Sequence, residues 1–293
     1  FGTMGAVIRM RGVIPTRRAL LDIGASGPLA GLAFAIPLYA WGVSHSTFVP
    51  LVENDNLTEL GESVLIKVVD HFLMPPAPEG MIAVYSPVAY AAWGGFFVTM
   101  INLLPVGQLD GGHVAYALFG PKQNRYALIV HRAMLVFFFV IIAGHVGRDF
   151  AAHLGFNILL FGRHIANALP WLVWFQLLAV LGAVSARAKR EAEDRDEAPG
   201  KTLSVRTRTV ATIGLLVLAS MDREHGSWLI TIAFFLGLGL LIAMEMKWGV
   251  LRKHDSLDHP PTGSDSLDGL RKAIAIGTLV LFALLFMPEP FSF

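Results

Sequence analysis

The chain has 293 residues, a formal net charge of +1, no cysteine and only 15% charged residues. Its apolar set is 54% before glycine is counted and roughly 64% with it, against about 45–50% for soluble domains counted the same way. That excess marks an integral membrane protein with the lipid bilayer as its surroundings. The missing cysteine excludes a disulfide framework, a thiolate metal site and a cysteine nucleophile.

In chain order, Phe1 to Ile23 is too charged and too interrupted to span a membrane. Ala6-Val-Ile-Arg9-Met-Arg11 alternates partly with period two, and Gly12 and Pro15 supply turn chemistry, so residues 1–24 are expected to form a β-hairpin-like segment at the membrane surface. Its four arginines place it on the cytoplasmic side. Ala25 to Val43 is the first spanning segment, with Gly27-x-x-x-Gly31 leaving room for close approach of another helix. Ser44 to Gly80 is a polar loop with one short amphipathic stretch near Glu62 to Leu73. Met81 to Ile101 is the second span, and a short helix is expected from Leu109 or Asp110 to Phe119, ended by Gly120-Pro121.

Tyr126 to Val146 and Ile165 to Ala186 are the third and fourth spans, with His153 to His164 at the interface between them. Residues 187–208 form a charged linker. Thr209 to Met221, Trp228 to Trp248 and Lys272 to Met287 complete a count of seven. The expected fold is thus an all-α polytopic membrane protein of about seven transmembrane helices, with a short β segment at its N-terminus. Its expected divisions are the surface segment 1–24, a core 25–120, further helices 121–186, the linker 187–208 and C-terminal helices 209–293. With the N-terminus cytoplasmic, 18 Lys and Arg fall on that side and four on the other, as the positive-inside rule requires. No inverted repeat of the transporter kind is visible, and no nucleic-acid partner is expected. The cysteine-free, compact chain fits a bacterial cytoplasmic membrane.

The chemistry concentrates in Asn102-Leu-Leu-Pro105-Val-Gly-Gln108-Leu109-Asp110-Gly-Gly-His113, directly after an apolar run. Pro105 removes a backbone donor, and Gly107, Gly111 and Gly112 permit positive φ, so the helix breaks here. Such a break is tolerated at membrane depth only where protein or water satisfies the backbone. A carboxylate there is costly unless paired, hydrated or metal-bound. Asp110 also has a bland reading, as a side-chain cap for the helix that follows, and Asn102 has one as a helix-end cap.

The string Asn-x-x-Pro-x-x-x-Leu-Asp-Gly-Gly at the end of an apolar helix resembles the third-ligand motif of the site-2 protease family of intramembrane zinc metalloproteases. Gly2-Thr-Met-Gly-Ala-Val-Ile-Arg-Met-Arg and Asp22-Ile-Gly-Ala-Ser-Gly-Pro-Leu-Ala-Gly31 are similar to the segment after that family's His-Glu-x-x-His helix. The resemblance covers about residues 1–120. It implies a Zn2+ cofactor held by two histidines and one aspartate, a glutamate base, and hydrolysis of peptide bonds in transmembrane protein substrates, as in regulated intramembrane proteolysis. Three protein ligands leave a fourth position for a water of lowered pKa. On this resemblance Asp110 is the metal ligand. Asn102 holds or polarises the substrate carbonyl, a donor role suited to a developing oxyanion.

No two of the ten histidines are four residues apart, so the helical His-Glu-x-x-His pattern is absent from this sequence. As the chain opens with Phe1, these ligands are expected ahead of it. His113 is a candidate replacement ligand or a hydrogen-bonded structural histidine. His131, Arg132 and His145 are ionisable groups inside the third span and draw attention on that ground. The strand at Gly5 to Met10 is a candidate edge for holding an unwound substrate by strand addition. Two other readings stand beside the protease: a catalytically inactive membrane scaffold, and an ion or solute transporter with Asp110 at its site.

Overall fold

The computed structural model describes residues 14–50, 59–192, 203–252 and 257–292. The expected N-terminal strand, with its candidate edge at Gly5 to Met10, lies outside them. In chain order the elements are α1 (Arg17–Ser44), β1 (Thr47–Pro50), β2 (Glu59–Leu60), α2 (Val64–Leu73), β3 (Met81–Val84), α3 (Pro87–Asn102) and α4 (Asp110–Phe119). Then come α5 (Gln123–Ala151), α6 (Ile158–Ala192), α7 (Val205–His225), α8 (Trp228–Trp248), α9 (Gly269–Leu285) and β4 (Phe291–Ser292). Helix starts follow capping chemistry. The side chains of Thr16, Ser63, Ser86, Ser204 and Asp268 each accept from a backbone N–H three residues on.

Among the described residues, four stretches are long and apolar enough to cross a membrane: α1, Asp110–Ala151, Ile158–Val184 of α6, and α8. In the second, a 3-10 turn at Gly120–Lys122 separates α4 from α5. Each of the seven expected spans has a helix, but three fall short on these criteria. Helix α3 has 16 residues, about 24 Å at 1.5 Å per residue, against about 30 Å of hydrocarbon. Helix α9 has 17 residues, and α7 carries Arg206, Arg208, Asp222, Arg223 and Glu224 within its length.

Several boundaries move for local reasons. Residues 17–24, expected in the surface segment, are the first two turns of α1, because Thr16 caps a helix there. Met81 to Ile101 is not one helix: Met81–Val84 pair antiparallel with β1, Thr47 opposite Val84 and Pro50 opposite Met81. Ser86 then caps α3, with Pro87 in its first turn, where a missing N–H costs nothing. Asn157 caps α6 through Leu159 N, so Ile158 to His164 are helical and not a separate interfacial piece.

The chain divides into two compact units. Unit one is residues 1–123 and 259–290; unit two is 124–258 and 291–293. In unit one α1 is the central helix, with α2, α3, α4 and α9 packed on it. Its core includes Leu20, Leu21 and Ala25 of α1, Val114, Tyr116 and Ala117 of α4, and Leu267 and Ala275 from the C-terminal segment. The approach to α9 is tied to the start of α1: Arg17 N donates to Asp265 at 2.8 Å, and the Arg271 guanidinium donates to both Asp22 and Asp268. Unit two holds most of α5 together with α6, α7 and α8. Within it Arg208 of α7 and Glu245 of α8 form a buried two-point ion pair at 2.6 and 2.9 Å.

Candidate functional site

Helices α1 and α3 run antiparallel in close contact, and glycines set their register. A Cβ at Gly42 would fall 2.4 Å from Ala89 N; one at Gly95 would lie 3.6 Å from Ala35 Cβ, and one at Gly31 3.8 Å from Thr99 Oγ1. These pairings share one register, which brings Asn102, the last residue of α3, to the level of Pro28. Gly27, next to Pro28, and Gly24, one turn earlier on α1, receive α4. A Cβ at Gly24 would lie 2.7 Å from His113 Cβ, and one at Gly27 3.8 Å from Asp110 Oδ2. The glycine row of α1 therefore serves as a floor. Asn102 and Asp110, separated in sequence by the loop 103–109, come down on it at the same level.

The helix break is built as the sequence implies. Gly107 has φ of 56°, a left-handed conformation that glycine adopts without strain. Leu103, Leu104 and Val106 are buried under the loop, and Gln123 Nε2 donates to the Pro105 carbonyl. The two glycines after Asp110 have a packing reason. A Cβ on Gly111 would sit 1.9 Å from the Leu103 carbonyl oxygen, and one on Gly112 would sit 2.4 Å from that of Gly107. Asp-Gly-Gly is thus the point where the loop backbone folds against the first turn of α4.

Asp110 is the first residue of α4; the cap position belongs to Leu109, which makes no side-chain cap bond. The capping explanation for Asp110 is therefore set aside. Its carboxylate is half-buried and, among the described residues, neither hydrogen-bonded nor ion-paired. What favours a negative charge here is the α4 N-terminus, whose free N–H groups and dipole attract an anion. Asn102 is half-buried too, and its amide is likewise without a partner among the described residues.

His113 is buried and belongs to a different arrangement. Its Nδ1 lies 2.8 Å from Nε2 of His259, whose own Nδ1 lies 2.7 Å from the Pro260 carbonyl. The His259 ring stacks on Tyr116, centroids 4.3 Å apart. Nothing in the sequence spacing links residues 113 and 259; only the fold reveals that pair. His131 donates Nε2–H to the Phe175 carbonyl at 2.9 Å. His145 stacks on His164, which pairs with Asp149 at 2.7 Å. Both histidines belong to the packing of unit two.

The zinc ion implied by the resemblance can be tested against the donor set. One open carboxylate with an unpaired lone-pair face fits a single ligand position. Among the described residues, however, no three His, Cys, Asp or Glu side chains gather closely enough to hold a metal ion. The described residues do not complete a zinc site.

Residues 1–141 match the family model described as peptidase family M50. Among curated proteins the chain is similar to one named "Probable zinc metalloprotease EGY2, chloroplastic" from Arabidopsis thaliana, 32% identical over 126 residues, 41% of this chain and 22% of that protein. A protein named "Probable zinc metalloprotease EGY1, chloroplastic", also from Arabidopsis thaliana, is 32% identical over 125 residues, with the same shares covered. The Arabidopsis "DDT domain-containing protein PTM" is 32% identical over 125 residues, 41% of this chain and 7% of that protein. The chain thus spans about a fifth of the length of the metalloprotease relatives. No solved structure matches. These relatives are plant proteins, several named chloroplastic, and they lend no support to a bacterial membrane. The names of the two metalloprotease relatives carry the metal that the resemblance implies, Zn2+. Residues 1–141, just under half of the chain, are thus similar to peptidase family M50, the site-2 protease family.

Proposed function

We propose that this chain supplies the aspartate half of an intramembrane zinc metalloprotease active site, acting on membrane-embedded protein substrates near the cytoplasmic or equivalent face. The observation that carries the reading is the Asp110 carboxylate, unpaired among the described residues and held at a helix N-terminus against Gly27. Asp110 is one ligand, and the other two and the general base come from a segment outside the described residues. Asn102, at the end of α3 and level with Asp110 over the glycine row of α1, presents its amide to the substrate carbonyl. The glycine row keeps both groups in register, and the buried Leu103, Leu104 and Val106 shield the loop behind them from water.

The test is zinc analysis and cleavage of a membrane-embedded reporter, using the full-length protein. Stoichiometric zinc that is lost in Asp110→Ala, together with lost cleavage, supports the reading. Protein that folds but holds no zinc overturns it. A second reading, an inactive membrane scaffold on the same fold, is favoured by the lack of any three-ligand group among the described residues. It predicts a folded, zinc-free protein in which Asp110→Ala changes nothing.

A further inference from the structure

Helix α2 is turned inside out relative to an ordinary surface helix of a soluble protein. Its inward side carries Ile66, fully buried, and Asp70, whose carboxylate accepts hydrogen bonds from Tyr39 Oη at 3.0 Å and Tyr85 Oη at 2.7 Å. Its outward side carries Val64, Val68 and Phe72, four residues apart and hence within about 80° of one another around the helix. All three are exposed, Phe72 to 77%. Lys67 and His71 lie along one edge of this row. Lys67 is paired with Glu62 at 3.3 Å in the open, a contact that leaves the ammonium accessible.

Exposed apolar side chains in a continuous row mark an interaction surface. Where this row lies in the fold names its occupant. The Tyr39–Asp70 bond fastens α2 to the last turns of α1, a helix of membrane-crossing length. At that end α1 itself exposes Phe34, Leu38 and Trp41, and the two-stranded β1–β3 sheet exposes Val49, Met81 and Val84. The apolar row of α2 is thus fastened beside other exposed apolar side chains at one end of a helix of membrane-crossing length. Ten residues at 1.5 Å each, about 15 Å, cannot cross a membrane, while an apolar row with a cationic edge suits a helix lying in the interfacial plane.

We propose that α2 is an interfacial anchor that lies flat in the headgroup region. Val64, Val68 and Phe72 enter the acyl chains, and Lys67 and His71 rise to the aqueous edge. The inward Asp70–Tyr39–Tyr85 cluster fixes the roll of the helix, so the row faces lipid and not the protein. This assignment does not depend on zinc or on proteolysis.

The absence of native cysteine makes a clean test. Single cysteines replace residues 64, 67, 68, 71 and 72 one at a time in the full chain, are spin-labelled, and are reconstituted into phosphatidylcholine bilayers. Collision rates with oxygen, which partitions into lipid, and with a polar nickel chelate are then compared. The expected result is an oxygen-dominated signal at 64, 68 and 72 and a chelate-dominated signal at 67 and 71. High chelate access at all five positions would place α2 in water and overturn the proposal. Low access to both reagents at 64, 68 and 72 would mean that protein, such as a second copy of the chain, covers the row, and would overturn it equally.

Discussion

His113 and His259, 146 residues apart, meet ring to ring, Nδ1 to Nε2 at 2.8 Å. The chemistry of the pair fixes its protons. The Pro260 carbonyl can only accept, so His259 Nδ1 carries a hydrogen; in the neutral ring Nε2 is then an acceptor, and His113 Nδ1–H donates to it. Through this chain a residue three positions after Asp110 is oriented by a segment beyond the family-matched region. His259→Ala leaves the buried His113 donor unsatisfied and removes the ring stacked on Tyr116. A loss of about 1–3 kcal/mol is expected from the orphaned donor. Hydrogen exchange should show faster opening of residues 257–268, and His259→Gln, which can still accept, should recover part of the protection.

The same pair responds to acid. Burial pushes the His259 pKa below the usual histidine value, and the Pro260 hydrogen bond only partly offsets this. His113, Tyr116 and the Pro260 carbonyl are among the groups that face it. With the folded pKa below the unfolded one, the unfolded segment binds more protons, so stability rises with pH. The contribution is complete above about pH 6.5, the unperturbed value, and is lost as pH falls through it toward the folded pKa. A spin label on a cysteine at Thr262 should gain mobility on acidification, and in His259→Gln that response should be absent. Unchanged mobility in the parent would show that the segment does not rest on the neutral ring.

Asp110 could be singled out from sequence because its surroundings are local: Pro105, the glycines and the Leu-Asp-Gly-Gly string lie within twelve residues, directly after the apolar run. Gly27 and Gly31 were legible as a close-packing row, and the structure places Asp110 and Thr99 against them. What could not be read were relationships made by tertiary folding. His259 has no sequence signal linking it to His113. Met81–Val84 are apolar enough to pass for helix, and only their pairing with Thr47–Pro50 draws them into a strand. The start of α1 at Arg17 was hidden because residues there reach Asp265 and Arg271, some 250 positions away.

Glycine substitutions separate packing from flexibility within one chain. Gly111→Ala and Gly112→Ala drive a methyl into the carbonyls of Leu103 and Gly107. Backbone has to move at the helix break, with a cost of the overpacking order, about 1–3 kcal/mol or more. Gly144→Ala in α5 and Gly277→Ala in α9 meet nothing within 4 Å. These should stabilise by about 0.5–1 kcal/mol through helix propensity. Thermal unfolding in detergent should therefore give shifts of opposite sign for the two pairs. Equal shifts would remove the close-approach explanation for Asp-Gly-Gly.

The Arg208–Glu245 pair makes the sharpest energetic claim about unit two. Both side chains are essentially inaccessible, 3% and 0% exposed. Glu245 also accepts from Val250 N at 3.0 Å, and Arg208 donates to the Ala179 carbonyl. Desolvating both ions offsets most of their attraction, so the pair as a whole adds little stability, but one charge without the other is severely penalised. Arg208→Ala or Glu245→Ala should each destabilise by about 3–5 kcal/mol. The apolar double replacement Arg208→Met with Glu245→Leu should lose less than either single change, because it leaves no buried charge behind. Apparent Tm for the four proteins in one detergent gives the comparison. Additive losses in the double variant would mean that the two residues act separately, Arg208 through its bond to Ala179 of α6 and Glu245 through its bond from Val250 N, rather than through the pairing of charges.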